Sequence, residues 1–286
     1  MQLYSVNAGY FKLDGGAMFG VVPKSIWNKI NPADENNLCS WALRCLLIED
    51  GNRLILVDNG NGNKQDAKFF SHYYLHGDDT LDKSLAKYGF HRDDITDAFL
   101  THLHFDHCGG SIIRVGDKLV PAFKNATYYS NKAHWDWAVY PNEREKASFL
   151  KENILPIEES GRLKFIDVPQ AVDGKLGESP FTENITIRFV SGHTEQMMLP
   201  QIKYKGKTIV FMADLMPSAG HIPIPYVMAY DMFPLTSINE KKSFLKEAIA
   251  GDYIFFFEHD PVNECCNLQQ TERGVRPKDF FKLSEI

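Results

Sequence analysis

Thr101-His102-Leu103-His104-Phe105-Asp106-His107 is the stretch from which the rest of the chain can be read. It continues Asp97-Ala98-Phe99-Leu100, a short β-prone run, so His102 and His104 stand two residues apart at a strand end. Alternate residues of an extended chain project to one side, which lets the two imidazoles grip one cation together. Asp106 and His107 lie just beyond, where a turn into Gly109-Gly110 swings them towards a second cation and the glycines allow backbones to approach closely. At the chain's own His and Asp frequencies, a chance H-x-H-x-D-H has a probability on the order of one in a thousand. The direct reading is two half-built metal sites.

Both halves need further ligands, and three candidates occupy strand ends downstream: His193 in Gly192-His193-Thr194, Asp214 after Thr208 to Ala213, and His259 after Tyr253-Ile254-Phe255-Phe256-Phe257. Imidazole and carboxylate suit zinc, with iron, manganese and cobalt as other divalent choices; an all-oxygen set would suit magnesium or calcium. The five cysteines, Cys39, Cys45, Cys108, Cys265 and Cys266, form no C-x-x-C pair and read as reduced thiols, Cys108 as a small buried filler.

Outward from the motif, Trp41 to Ile48 and Arg53 to Val57 are apolar runs around the turn Asp50-Gly51-Asn52, and they predict a hairpin. Leu81, Leu85, Ala86 and Tyr88 predict a short helix stopped by Gly89. Asn131 to about Glu159 predicts two helices broken near Pro141. Strands are expected at Leu163 to Ile166 and Ile185 to Val190, a second hairpin at Leu199 to Tyr204 and Thr208 to Ala213, and a helix over Asn239 to Ala250. The two halves run in parallel: a hairpin ending in Asp58 or Asp214, later a helix, then a short strand ending in His102 or His259. That recurrence predicts an α/β (α+β) chain built as a four-layer αβ/βα sandwich, two mixed β-sheets packed face to face with helices outside. No linker interrupts it, so residues 1–286 read as a single domain.

Composition narrows the function. With 286 residues, 44% hydrophobic and 24% charged, the chain is ordinary globular protein rather than disordered. A formal charge of −6 with no Lys/Arg block argues against nucleic acid as a partner. No run approaches the ~20 apolar residues that span a bilayer, so no membrane partner is expected. The amino end lacks a secretory signal pattern; a cytoplasmic location is expected, with an upstream signal left open. No G-x-S-x-G occurs, and Lys205-Gly206-Lys207-Thr208 reads as a turn rather than a phosphate loop. His72, His76, His91 and His134 read as surface groups.

The motif with its downstream His, Asp and His resembles the metallo-β-lactamase superfamily, in strand-end order and across nearly the whole chain. The resemblance implies that His102, His104 and His193 hold a first zinc ion, Asp106, His107 and His259 a second, and that Asp214 bridges them. It implies that Asp58, in Leu56-Val57-Asp58-Asn59-Gly60, orients ligands, although the family usually has Thr or Ser where this chain has Asn59. It also implies a hydrolase in which hydroxide shared by the two zinc ions attacks the substrate while Asp106 serves as the catalytic proton carrier. Oxygen-reducing relatives carry Glu in place of His104, which favours hydrolysis; an iron-dependent oxidoreductase is the third alternative.

Gly15 to Trp27 resembles the N-terminal segment of the branch containing N-acyl-homoserine lactone lactonases and methyl parathion hydrolase. This implies a small-molecule substrate with an apolar portion, a lactone or other carboxylic ester first and a phosphotriester second. Met18, Phe19 and Trp27, on a segment that could act as a lid, together with Phe105 and His221, are the candidate substrate contacts; core packing is the alternative for each apolar one, and an ordinary loop histidine on the Pro-rich stretch Gly220 to Tyr226 is the alternative for His221. After His193 the chain reads Thr194-Glu195-Gln196-Met197 where lactonases continue Thr-Pro-Gly-His. Assembly as a homodimer is left open.

Overall fold

The hairpin expected around Asp50-Gly51-Asn52 pairs Asp50 with Arg53, leaving Gly51-Asn52 as a two-residue loop in which Gly51 takes φ 64°. The second hairpin closes on Lys205-Gly206, at φ 48° and 75°, the doubly left-handed turn that matches strand twist. These assignments come from a computed structural model that describes residues 1–169 and 176–286. The chain divides into two compact units, Met1–Tyr10 with Leu43–Asp167, and Phe11–Ala42 with Val168–Ile286.

Strands β1 (Gln2–Asp14), β2 (Leu38–Asp50), β3 (Arg53–Val57), β4 (Asp97–Phe99), β5 (Ile112–Val115), β6 (Lys118–Pro121), β7 (Thr127–Ser130) and β8 (Leu163–Phe165) come first. They form a six-stranded sheet of order β1-β2-β3-β4-β7-β8 and a small β5-β6 ribbon. Strands β9 (Glu178–Pro180), β10 (Ile185–Val190), β11 (Met197–Tyr204), β12 (Lys207–Phe211), β13 (Ile254–Phe256), β14 (Cys265–Thr271) and β15 (Gly274–Phe281) form a seven-stranded sheet in exactly reversed sequence order, from β15 at one edge to β9 at the other. Both sheets are mixed: β3, β4, β7 and β8 pair in parallel, as do β12 and β13, while the hairpins are antiparallel. Helices among the described residues are α1 (Gly15–Phe19), α2 (Lys24–Trp27), α3 (Ala67–Ser71), α4 (Leu81–Lys87), α5 (Phe105–Cys108), α6 (Lys132–Val139), α7 (Lys151–Glu159) and α8 (Pro234–Ala250). This is the mixed α/β class with two large mixed sheets that the sequence predicts. No helix among the described residues is long and apolar enough to cross a membrane.

In the first unit Leu54, Leu56, Ala98 and Tyr128 of the sheet pack with Leu81 and Leu85 of α4 and with Ile154 and Ile157 of α7. In the second, Phe244 of α8 stacks on Phe255 at 5.9 Å and Phe211 on Phe256 at 5.7 Å. Buried Ser237, Lys241, Phe244, Leu245 and Ala248 mark one face of α8 at helical spacing. The helix starts five residues before the expected Asn239 because Pro234 fits the first turn, where its missing N–H leaves nothing unsatisfied.

Gly15 to Trp27 is not an irregular lid segment. It forms α1 and α2, and Met18, Phe19 and Trp27 are buried, Phe19 stacking on Trp27 at 5.7 Å. Strands β1, β5, β6, β7, β9, β14 and β15 lie outside the expected set; β5, β6, β7 and β9 are only three or four residues long, and β14 and β15 are rich in polar residues, with Pro277 in β15, so neither of these two shows a clear apolar alternation.

Candidate metal centre

Each unit assembles part of the sequence-derived ligand set at strand ends. In the first, β4 delivers Thr101 and His102, and the short α5 carries Asp106 and His107; His102, His104, Asp106 and His107 are all buried. Asp58, at the end of β3, adopts φ 55°, an uncommon conformation for a residue with a side chain. Its Oδ1 accepts the Thr101 N–H at 2.8 Å, and its Oδ2 accepts the Thr101 hydroxyl at 2.6 Å and His107 Nδ1 at 3.0 Å. The Thr101 hydroxyl, having donated to Asp58, accepts from His102 Nδ1 at 3.1 Å. His104 Nε2 donates to Glu145 Oε1 at 2.9 Å, and Glu145 is itself fixed by Trp137 Nε1 on its other oxygen.

The motif's glycines close the arrangement. A Cβ on Gly109 would lie 2.2 Å from the Asn61 carbonyl oxygen, and one on Gly110 would lie 2.3 Å from that of Asn59. Only glycine permits these approaches, through which the Asn59 N–H reaches the His107 carbonyl at 2.9 Å and the Gly110 N–H reaches Gly60. Asn59, the departure from the family pattern, donates its Nδ2 to Ser111 Oγ at 2.9 Å.

In the second unit His193 follows β10, Asp214 follows β12 and His259 follows β13, and all three are buried. His193 Nδ1 donates to Asp231 Oδ1 at 3.0 Å, and His259 Nδ1 donates to the Ala42 carbonyl at 2.8 Å. His193 Nε2 stands 3.2 Å from Asp214 Oδ2, and His259 Nε2 stands 3.2 Å from Asp214 Oδ1. Glu240 of α8 accepts the N–H groups of Ser191 and Gly192 at 2.6 and 3.0 Å, fixing the approach to His193. Burial pushes its carboxyl up to about 7, against the pull of those two N–H donors.

These tautomers test whether a metal fits. Each imidazole spends one ring N–H on a fixed acceptor, so its other nitrogen presents a lone pair. His102 Nε2 then faces His104 Nδ1 at 3.0 Å, two lone pairs in contact. The Nε2 lone pairs of His193 and His259 face carboxylate oxygens of Asp214, and that of His107 faces Asp106 Oδ2 at 3.8 Å. Buried lone pairs turned on one another repel unless a cation lies among them, so the donors present fit a divalent metal.

The candidate substrate contacts separate. His221 is buried with both ring nitrogens engaged, Nδ1 with Ser218 Oγ at 2.8 Å and Nε2 with the Met18 carbonyl at 2.9 Å, and it stacks on Phe19 at 4.5 Å. Burial pushes this imidazole down to about 3, which keeps it neutral. His221, Met18, Phe19 and Trp27 are therefore core residues, a correction to their reading as substrate contacts: their surfaces are spent on one another. Phe105 differs, packing against half-buried Tyr73 and Phe69 of the α3 region at 4.6 and 5.3 Å. Burial pushes the Tyr73 phenol up, with the charge of Asp106 adding to the effect, so this aromatic cluster borders Asp106.

Sequence reasoning missed Asp231, Glu145, Phe69 and Tyr73, none of which belongs to a motif. It also misplaced His134, which is buried and accepts the Leu103 N–H on Nε2 at 2.8 Å. The apolar neighbours Ala133 and Trp135 on either side of His134 were the available signal. Cys108 is the buried filler expected, its Sγ donating to the Leu103 carbonyl.

Similarity to known proteins agrees with this geometry. The profile of the metallo-beta-lactamase superfamily matches residues 44–259. An N-acyl homoserine lactonase of Bacillus cereus is 26% identical over 277 residues, covering 92% of this chain and 94% of its own. A Staphylococcus aureus structure described as "a probable metal-dependent hydrolase" superposes with a TM-score of 0.87 at 27% identity, covering 98% of this chain and 96% of its own. AidC, a dizinc quorum-quenching lactonase solved with its product N-hexanoyl-L-homoserine, shares the fold with a TM-score of 0.76 at 22% identity, covering 98% and 95%. With the profile spanning three quarters of the sequence, the chain belongs to the metallo-β-lactamase superfamily and is a metal-dependent hydrolase.

Proposed function

We propose that the two ligand sets serve one binuclear zinc centre that opens acylated lactones, and that the two units are halves of the single domain 1–286. In this reading His102, His104 and His193 would hold one ion and Asp106, His107 and His259 the other, with Asp214 available to both. The observation that carries it is Asp214, whose two oxygens each lie 3.2 Å from a different imidazole Nε2. A carboxylate flanked in this way can offer one oxygen to each of two ions, whereas a single ion would leave one imidazole without a role. Bound there, a pair of divalent ions would supply Lewis acidity to a carbonyl oxygen and make water a competent nucleophile near neutral pH.

The chain's own residues do the rest. Asp58, Thr101, Glu145, Asp231 and the Ala42 carbonyl hold the five imidazoles in one tautomer, so no reorganisation accompanies the reaction. Asp106 is the carboxylate placed to carry a proton to the leaving alkoxide when the ring opens. Phe105, Phe69 and Tyr73 offer apolar surface beside Asp106 for the acyl portion. The lactone, rather than another ester, is supported by the curated relatives named N-acyl homoserine lactonase.

Zinc-loaded protein assayed for acid release from N-hexanoyl- and N-decanoyl-homoserine lactone, beside phenyl acetate and an aryl phosphotriester, tests this. Turnover of both lactones well above the other two substrates is expected. Preference for the phosphotriester, or turnover of none, overturns the lactone reading.

A further inference from the structure

The second unit carries a concavity of about 580 Å³ that none of the metal-ligand candidates lines, a volume within the range of small-molecule sites. Its walls are fixed. Lys241, buried on α8, donates to the carbonyls of His221, Pro223 and Tyr226 at 2.6, 2.9 and 2.9 Å, holding the loop that supplies Ala219, Pro223 and Tyr226 to the cavity. Asp260 ties that loop to the segment after β13, accepting the N–H groups of Ala219, Val262 and Asn263 at 3.1, 3.0 and 2.7 Å.

What remains open to a ligand is apolar surface and positive charge. Ile30, Val262 and Phe280 are 44%, 81% and 49% exposed, an unusual concentration of large exposed apolar side chains around one hollow. Arg273 and Arg276, at the β15 end of the hairpin, line the same hollow; Arg276 Nη1 donates to the Val275 carbonyl at 2.6 Å, and neither arginine forms an ion pair with a carboxylate among the described residues. Asp260, the one carboxylate in the lining, has both oxygens engaged by the N–H donors above and by Asn263 Nδ2. Two guanidinium groups against this one carboxylate leave the lining with net positive charge on a chain of net charge −6.

Apolar walls exclude a small hydrated anion as the best occupant, and guanidinium groups that have no carboxylate partner exclude a cation; a guanidinium fork matches a carboxylate. We propose that this cavity binds amphipathic carboxylates, with the carboxylate on Arg273 and Arg276 and the hydrocarbon against Ile30, Val262 and Phe280. A ring-opened acyl hydroxy acid, the product of lactone hydrolysis, belongs to this class; that identification rests on the reading under Proposed function, whereas carboxylate binding does not.

Calorimetric titration of the zinc-loaded protein with sodium decanoate tests it without turnover, so failure of lactone hydrolysis would not mimic failure here. The double variant R273A/R276A changes exposed or half-exposed side chains and is expected to fold; its affinity for decanoate should fall at least tenfold. Val262→Glu, which adds a negative charge at the mouth, should weaken binding in the same direction, and 1-decanol should bind at least tenfold more weakly than decanoate. Unchanged decanoate affinity in R273A/R276A overturns the proposal and leaves these arginines as guards of an edge strand. Equal affinity for decanol and decanoate overturns it as well.

Discussion

Replacing Lys241 with Met keeps an unbranched chain of good helix propensity and removes only the ammonium. Lys241 is fully buried, and its Nζ reaches the His221, Pro223 and Tyr226 carbonyls within 2.9 Å and that of Ile224 at 3.4 Å. The Pro223 oxygen keeps a second donor in the Tyr226 N–H, so the variant orphans mainly the His221 and Tyr226 carbonyls. At roughly 1–3 kcal/mol for each orphaned acceptor, and with some return from burying a thioether, the loss should be about 3 kcal/mol. The loss has a pH signature. Burial pushes the ammonium down to about 7 in the fold, while the unfolded chain keeps its proton to about 10.4. Between those values the unfolded state binds more protons, so wild-type stability rises with pH across this window, and K241M, which has no such group, gains nothing from it. Urea denaturation of both proteins at pH 7 and pH 9 should show K241M less stable at pH 9 and the gap wider there than at pH 7. A K241M midpoint equal to wild type at pH 9, or a gap that narrows as pH rises, would refute the argument that the Lys241 side-chain nitrogen, which still donates N–H groups to these carbonyls as a neutral amine, fixes the 221–226 loop.

Three further expectations bear on the ligand sets. Asp231→Ala frees the His193 ring and should weaken zinc binding 10- to 100-fold in a chelator competition, with the fold retained by circular dichroism; unaltered affinity would mean that Asp231 does not orient His193. Gly110→Ala must displace the Asn59 carbonyl 2.3 Å from its new methyl group, and should cost at least about 2 kcal/mol in thermal or urea unfolding. Cys108 is buried and its thiol pushed up to about 12 by burial, so a thiol-specific disulfide reagent should label it only on unfolding; rapid labelling of the native protein at Cys108 would contradict the packing around the motif.

What the sequence could reveal followed from local rules. Both hairpin turns carry glycine where φ must be positive, and the H-x-H-x-D-H run needs only strand and turn geometry to be read. The same rules hid β14 and β15, whose residues alternate poorly because β15 is an edge strand with half its surface in solvent. His221 misled for a related reason. On a Pro-rich stretch it looks like a loop residue, yet Lys241, twenty positions away on α8, fastens that stretch into the core. Asp231 and Glu145 are 38 and 41 residues from the imidazoles they hold, and no spacing rule links a carboxylate to a ring across such a distance.

Asp58 and Ala213 show where the fold yields to chemistry. Both have side chains and both take positive φ, 55° and 40°, a conformation that costs about 1–3 kcal/mol and persists only where surroundings enforce it. Ala213 immediately precedes Asp214, and Asp58 holds His107 and, through Thr101, His102. Neither turn is needed to end a strand, since glycine would do so without strain. At position 58, however, glycine would remove the carboxylate that sets two tautomers, so the strain at that position is the cost of having an acid at a left-handed turn. The same logic does not require alanine at 213, where Ala213→Gly should relax the backbone and raise stability while leaving the Asp214 oxygens free to move. If the strain serves to fix Asp214, that variant will be more stable to urea yet bind zinc more weakly; a gain in stability with unchanged zinc affinity would show that the φ of residue 213 is incidental to the metal centre.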